Sequence, residues 1–286
     1  MFKRLIAWLK KLFGFASVAP VETPVEATPE SYPGSLDENG NFFSGYVESE
    51  ADEEAVREFK AAGKRTILPP SVDLRGKLGP VDQQGNTNAC VSHAITTALE
   101  GSLGVSNQSR LFVYWNARVL AAQQTRDAGC TPRNAIRGIM ANGSADETVW
   151  PYDISRLLVQ PSADVFSAAG ALKTKIKTYQ SVTSLAALKT ALAQGLPVAF
   201  GMTVPDTFVS ITKYTGELPL PTSTTKWIGA HAMVAVGYDD TKGAVLVRNS
   251  FGPLWGSQGH CWMPYGWFTT MTTGSRVSDA WAFIAA

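Results

Sequence analysis

A thiol, an imidazole and two side-chain amides in this chain stand where they could act together on a carbonyl carbon. Cys90 closes the stretch Gln84-Gly85-Asn86-Thr87-Asn88-Ala89-Cys90 and opens the apolar run Val91 to Leu99, which places it at a predicted helix start. The positive end of the backbone dipole and the unpaired N–H groups there favour a thiolate. Gln84 can fold back beside the sulfur and donate to a developing oxyanion, together with the N–H of Cys90. Far downstream, His231 opens a short apolar run to Tyr238, and Asn249 ends the run Val245 to Arg248. Thiolate chemistry needs an imidazole to take and return a proton, and a third polar group to fix the imidazole's orientation. Cys90, His231 and Asn249 supply these in that order, 141 and then 18 residues apart. A cysteine at a helix start is by itself most often a small core hydrophobe; the complete set is what points to nucleophilic catalysis.

The surrounding segments resemble the papain family of cysteine peptidases. Leu68-Pro69-Pro70-Ser71-Val72-Asp73-Leu74-Arg75 looks like that family's mature N-terminus, and Pro80-Val81-Asp82-Gln83-Gln84-Gly85 and Cys90 follow at its offset. His231-Ala232 before Val236-Gly237-Tyr238, then Asn249-Ser250-Phe251-Gly252 with Trp255-Gly256, complete the resemblance, which runs from residue 68 to residue 286. It implies an α+β fold of two lobes, a helical lobe at about 80–175 and a β-barrel-like lobe at about 176–286 plus 68–79, with the cleft between them. It also implies that Cys90, His231, Asn249 and Gln84 are catalytic, and that protein or peptide chains are the substrates. Three departures matter. Thr87 removes a cysteine that normally forms a disulfide, Asn88 replaces a glycine lining the cleft, and Phe251 stands where a Trp shields the His–Asn hydrogen bond. Few disulfides fit a bacterial, xylellain-like branch. Trp255 is expected beside Phe251 as part of that shield. A stored thiolate–imidazolium pair would hold the thiol of Cys90 well below its free value of about 8.5.

Composition is compatible with this. A chain of 286 residues that is 45% apolar can bury a large core. Its formal net charge of +1 gives no electrostatic argument for nucleic acid. Cys90, Cys130 and Cys261 are the only cysteines, too few for a disulfide framework, and Cys130 and Cys261 could pair or stay reduced. No cofactor and no metal are expected: His260 and Cys261 are adjacent on a predicted strand and point to opposite faces.

Residues 1–67 differ in kind. Residues 1–15 pattern as a cationic amphipathic helix suited to peripheral membrane contact, with a secretory signal and a plain frayed or partner-binding terminus as competing readings. The chain is accordingly secreted, membrane-associated or cytoplasmic. Residues 18–36 read as a Pro/Glu linker, and Ser49 to Ala62 as an acidic helix with Ala55, Val56 and Phe59 on one side. The whole extension is expected to be a short inhibitory propeptide lying over the cleft, or else a tether.

Helices are predicted at Cys90 to Leu103, Gln108 to Ala122, Pro132 to Ala141 and Ser184 to Gln194, and strands at Pro197 to Val204, Ala232 to Tyr238, Ala244 to Asn249 and His260 to Pro264. Helices first and strands after give an α+β chain. His93 is expected to pack along the helix flank or face solvent, and Asp73 and Asp153 to bond within loops. The leading reading is a cysteine endopeptidase. The alternatives are a Cys–His acyltransferase or amidase, and a catalytically silent binding module.

Overall fold

The computed structural model describes residues 45–50, 57–61, 63, 67–105 and 107–286. Expectations for residues 1–15 and 18–36 therefore lie outside the described residues. Five helices of at least seven residues are described: α1 (Cys90–Leu103), α2 (Arg110–Leu120), α3 (Pro132–Asn142), α4 (Ala163–Ala169) and α5 (Leu185–Ala193). The strands are β1 (Ser71–Asp73), β2 (Ile176–Ser181), β3 (Val198–Pro205), β4 (Trp227–Asp239), β5 (Ala244–Arg248), β6 (His260–Pro264) and β7 (Val277–Ala285). They form one antiparallel sheet in the order β2-β7-β3-β4-β5-β6, with β1 paired to β4. Helices α1 to α4 lie between β1 and β2 in the chain and α5 between β2 and β3, and the fold is the papain-like α+β arrangement of two lobes.

Local chemistry accounts for the helix ends. Ser109, Thr131 and Ser184 each accept a hydrogen bond from a first-turn N–H of α2, α3 and α5, as helix N-caps do. Pro132 sits in the first turn of α3, where its missing N–H costs nothing. Gly104 ends α1 with φ +61, donating to the carbonyl of Glu100. α1 has no side-chain cap, and its first amides turn instead to the sulfur of its first residue.

Alternation along the strands builds two cores. Val198, Phe200, Met202, Met233 and Ala235 face one side, against α5 and the aromatic residues Phe208, Phe251 and Trp255. Ala199, Ala232, Val234 and Val236 face the other, against α1. That second face is where α1 delivers Cys90 to β4.

One expectation is corrected here. Ser49 to Ala62 is not one helix: Ser49–Glu50 and residues 57–61 are non-helical, and Glu58 bridges to Ser181 at the edge of β2; residues 51–56 lie outside the described residues. Phe59 donates to the carbonyl of Ser181 at 2.7 Å and is buried in the sheet-side core, a burial worth about 1.5–3 kcal/mol. A β-bridge at the sheet edge, not helix amphipathicity, is what places it there. All three cysteines are buried and none forms a disulfide, so of the two alternatives open for Cys130 and Cys261 the structure has them reduced.

Candidate active site

α1 and β4 bring Cys90 to the segment that carries His231. The Cys90 sulfur faces the backbone N–H groups of Ala232, Val91 and Cys90 itself, all of which favour its anion. Helix start and strand thus converge on one atom.

His231 Nε2 lies 2.8 Å from Asn249 Oδ1. The same oxygen accepts from the backbone N–H of Ser250, also at 2.8 Å. That second bond orients the amide: its oxygen must face both donors, so Nε2 carries the hydrogen and Nδ1 is left as the basic nitrogen. Asn249 follows β5, whose Arg248 pairs with Val234 of β4, and this register places it alongside the His231 segment.

Gln84 is fully buried and fixed at both ends of its amide. Ser250 Oγ donates to Oε1 at 2.7 Å, and Nε2 donates to the carbonyl of Thr87 at 2.7 Å, leaving a second Nε2 hydrogen. Its backbone N–H bonds the carbonyl of Ser250, while Gln83 bridges Phe251. Ser250 therefore ties Gln84 to Asn249, a link that sequence reasoning missed. The Asn-Ser dipeptide was its only signal. Thr87, which replaces a cysteine of the resembled pattern, fastens the same loop by donating to the carbonyl of Gln84 at 2.9 Å, with the Tyr152 hydroxyl 2.7 Å from its own.

Phe251 stacks at 4.8 Å from the His231 ring, tilted by 33°. Trp255 lies behind it, 6.1 Å from Phe251 and 5.0 Å from Phe208, and Phe208 approaches His231 edge-on at 5.9 Å. Phe208 was not singled out from sequence because it sits in a π-helical turn, Phe208–Thr212, whose spacing matches no regular period. Asn88 bonds Asp127 through both its backbone N–H and its side chain. His93 is buried, not exposed. Asp73 pairs with Arg75, and Asp153 caps Ser155. Among the described residues no cluster of three or more His, Cys, Asp or Glu could hold a metal ion.

The electrostatics correct one expectation. Burial pushes the Cys90 thiol up to about 12, against the pull of the three N–H groups. Burial likewise takes His231 down to about 4, against the Asn249 hydrogen bond. Desolvation penalises both ions, so burial favours the neutral thiol and the neutral imidazole.

Gly45–Glu50 lie beside the Cys90 cluster. Gly45 and Val47 pair with Cys130 through N–H···O bonds of 3.0 and 3.2 Å, in the parallel sense. Gly45 is pressed against Asn88, and Tyr46 packs on the cluster that contains Cys90, Cys130 and Ala232. The Tyr46 ring covers Gly201, its hydroxyl lies 3.3 Å from Ser278 Oγ, and Ser49 N–H donates to Asp279 at 2.8 Å.

The fold and this group of side chains fit the chemistry of a thiol-dependent hydrolase. The family model for papain family cysteine protease matches residues 68–278, and the chain belongs to that family. Xylellain, a cysteine protease from Xylella fastidiosa, superposes with a TM-score of 0.76 at 29% identity over 85% of this chain and 96% of its own. An uncharacterized peptidase C1-like protein, L477, of Acanthamoeba polyphaga mimivirus is 30% identical over 83% of this chain and 85% of the viral protein. Pro-cathepsin H of Bos taurus is 28% identical over 67% of this chain and 58% of the bovine protein. The chain is a papain-like cysteine peptidase, a hydrolase.

Proposed function

We propose that the chain is a cysteine endopeptidase working through Cys90, His231, Asn249 and Gln84, and that residues 45–50 hold it closed. The observation that carries the reading is the Asn249 amide, which accepts from His231 Nε2 and leaves Nδ1 as the base. The Cys90 thiol gives its proton to His231, and the thiolate attacks the substrate's carbonyl carbon. The Gln84 amide and the Cys90 N–H take the oxyanion. The C–N bond breaks as the imidazolium protonates the leaving amine, and the acyl group remains as a thioester. Water then adds with His231 as base, the C–S bond breaks, and the acid leaves. Phe251, with Phe208 and Trp255 behind it, keeps water from the His–Asn bond. Supporting the closed reading are Tyr46 and the Cys130 pairing: they fill the groove between α1 and the sheet beside the nucleophile.

Purified full-length protein, its Tyr46→Ala variant and the Cys90→Ala variant of each would be incubated with a fluorogenic peptide library. Hydrolysis that is higher in Tyr46→Ala and absent without Cys90 is the expected result. Hydrolysis that survives Cys90→Ala overturns the mechanism, and equal rates with and without Tyr46 overturn the closure.

A further inference from the structure

Beside Asn249 lies a small, partly open space of about 10 Å³, between α1, the middle of β4 and the end of β5. His93 and Thr97 form its α1 wall, Ala232 its β4 wall, Arg248 and Asn249 its β5 wall, and Asp82 one end. Two polar side chains reach it with hydrogen-bonding capacity unspent. Asn249 Nδ2 is buried with no protein acceptor, although the Oδ1 of the same amide has two donors. Both ring nitrogens of His93 are likewise buried and unbonded, in a residue only 2% exposed. A buried amide NH2 with no acceptor is costly, and so is a buried imidazole with no donor. Their chemistries are complementary, since a neutral imidazole offers one acceptor nitrogen and one N–H. The space suits a single water, which needs at least about 10–15 Å³ and two or more polar partners.

His93 is held to this task from its other side. Its ring packs edge-on against Tyr152 at 4.7 Å, and Tyr152 donates to the carbonyl of Gln84. The charged or titratable groups facing it are Asp82, Arg110, Arg248 and His231. Asp82 is already paired with Arg110 at 2.8 Å and with Arg248 at 3.7 Å. The ion pairs satisfy each other, which leaves the neutral ring for the amide. Burial keeps His93 neutral, with its pKa down at about 3.

We propose that His93 is a positioning residue for Asn249, accepting the Nδ2 hydrogen through one water in this space and so holding the amide plane with Oδ1 toward His231. It touches neither substrate nor reacting atoms. Its effect runs through the Nε2–H···Oδ1 bond, which stabilises the imidazolium more than the neutral ring. Loss of the acceptor lets the amide tilt and weakens that bond, so the imidazolium gives up its proton at lower pH.

The inference rests on the peptidase reading above, and its test separates the two. In the full chain carrying Tyr46→Ala, His93→Phe keeps a ring against Tyr152 and removes the acceptor. Its kcat should fall about five- to tenfold, the loss of one buried hydrogen bond, with KM within twofold. The alkaline limb of its kcat/KM profile should move to lower pH. Either His93→Asn or His93→Gln, which return an amide acceptor, should restore that limb. A Phe variant whose pH profile matches the parent, or restoration by neither amide, overturns the proposal. A crystal structure of the Cys90→Ala chain at atomic resolution decides without activity. A water within 3.2 Å of both Asn249 Nδ2 and a His93 nitrogen is expected on usual hydrogen-bond geometry, about 2.7–3.2 Å, and dry density there overturns it. Absence of hydrolysis in every variant would sink the peptidase reading and leave this second arm to rule on His93.

Discussion

Tyr46 lies on Gly201 so closely that only a glycine permits it: a Cβ on Gly201 would fall 2.0 Å from the ring carbon Cζ. Gly201 pairs with Ala232 on one side and Ser278 on the other, so the phenol lies on the strand beside the one that carries His231. Removing the ring in Tyr46→Ala should weaken the closed state by about 1.5 kcal/mol, the low end for a large apolar side chain because Tyr46 is half-buried. That is about tenfold more peptidase activity in the uncut chain. Gly201→Val should release the segment from the other side. Combined in one chain, the two changes should give little more than either alone when initial rates are compared, since they break one contact.

Acid should unsettle this protein through its histidines. His231 and His260 are each taken down to about 4, and His93 to about 3, in every case chiefly by burial. The unfolded chain binds these protons first, so their contribution is complete above about pH 6.5 and is lost as pH falls toward 4. Glu100, raised to about 7 by burial, works the other way as pH falls from 7 to about 4.5, and raised Glu147 and Asp279 share its sign. Three depressed imidazoles outweigh these carboxyls, and urea unfolding at pH 7, 6 and 5 should show a falling midpoint. His260→Gln should flatten the slope.

The same titrations govern the nucleophile. With Cys90 up at about 12 and His231 down at about 4, iodoacetamide at pH 6 should label Cys90 of the intact chain hardly faster than Cys130 or Cys261. Tyr46→Ala should speed Cys90 alone, because readmitted water relieves the desolvation that holds both groups neutral. Equal acceleration at all three cysteines would instead mark general loosening. Peptide mapping by mass distinguishes them.

Ser250 couples Gln84, the proposed oxyanion donor, to the amide of Asn249. Gln84→Ala should cost about 100- to 1,000-fold in kcat, as removal of an oxyanion donor does. Ser250→Ala, which frees Gln84 Oε1, should cost about tenfold, and the double variant should be no worse than Gln84→Ala. Steady-state kinetics in the Tyr46→Ala chain would measure all three.

Arg110 is nearly fully buried and contacts three carboxylates: Asp82 at 2.8 Å, Glu100 at 3.1 Å and Glu147 at 3.8 Å. Arg110→Met strands those acids in the interior and should destabilise by about 3–5 kcal/mol. Lysine, lacking the planar fork, should not rescue it. Denaturant melts read this directly.

Sequence carried the catalytic elements further than their setting. Cys90 and His260–Pro264 begin their elements where periodicity places them, because apolar runs of fixed length bounded by Gly and Pro are local signals. β2 and β7 were not legible. Ile176–Ser181 is half-exposed and pairs with a strand about a hundred residues later, and β7 breaks its alternation at Asp279, a non-glycine residue with φ 53. The thiol's state was also beyond reach. A helix start argues for a thiolate, but burial reverses it, and the buried setting includes residues 45–50, whose register on Cys130 no local pattern encodes. Phe59 was misread for a related reason: its neighbours suggested a helix face, whereas long-range pairing with Ser181 decided its place.

The proposed clasp of residues 45–50 on the groove has a further consequence, one of connectivity. Tyr46 and Phe59 are two modest footholds joined to the body by the same stretch of backbone. Such a tethered ligand works at an effective concentration of order millimolar, so each foothold can be weak and the groove still stay occupied. A single cut between Phe59 and Leu68 would leave every one of these contacts in place and change only their bookkeeping. The segment would become a dissociable peptide, and dilution alone could then open the enzyme.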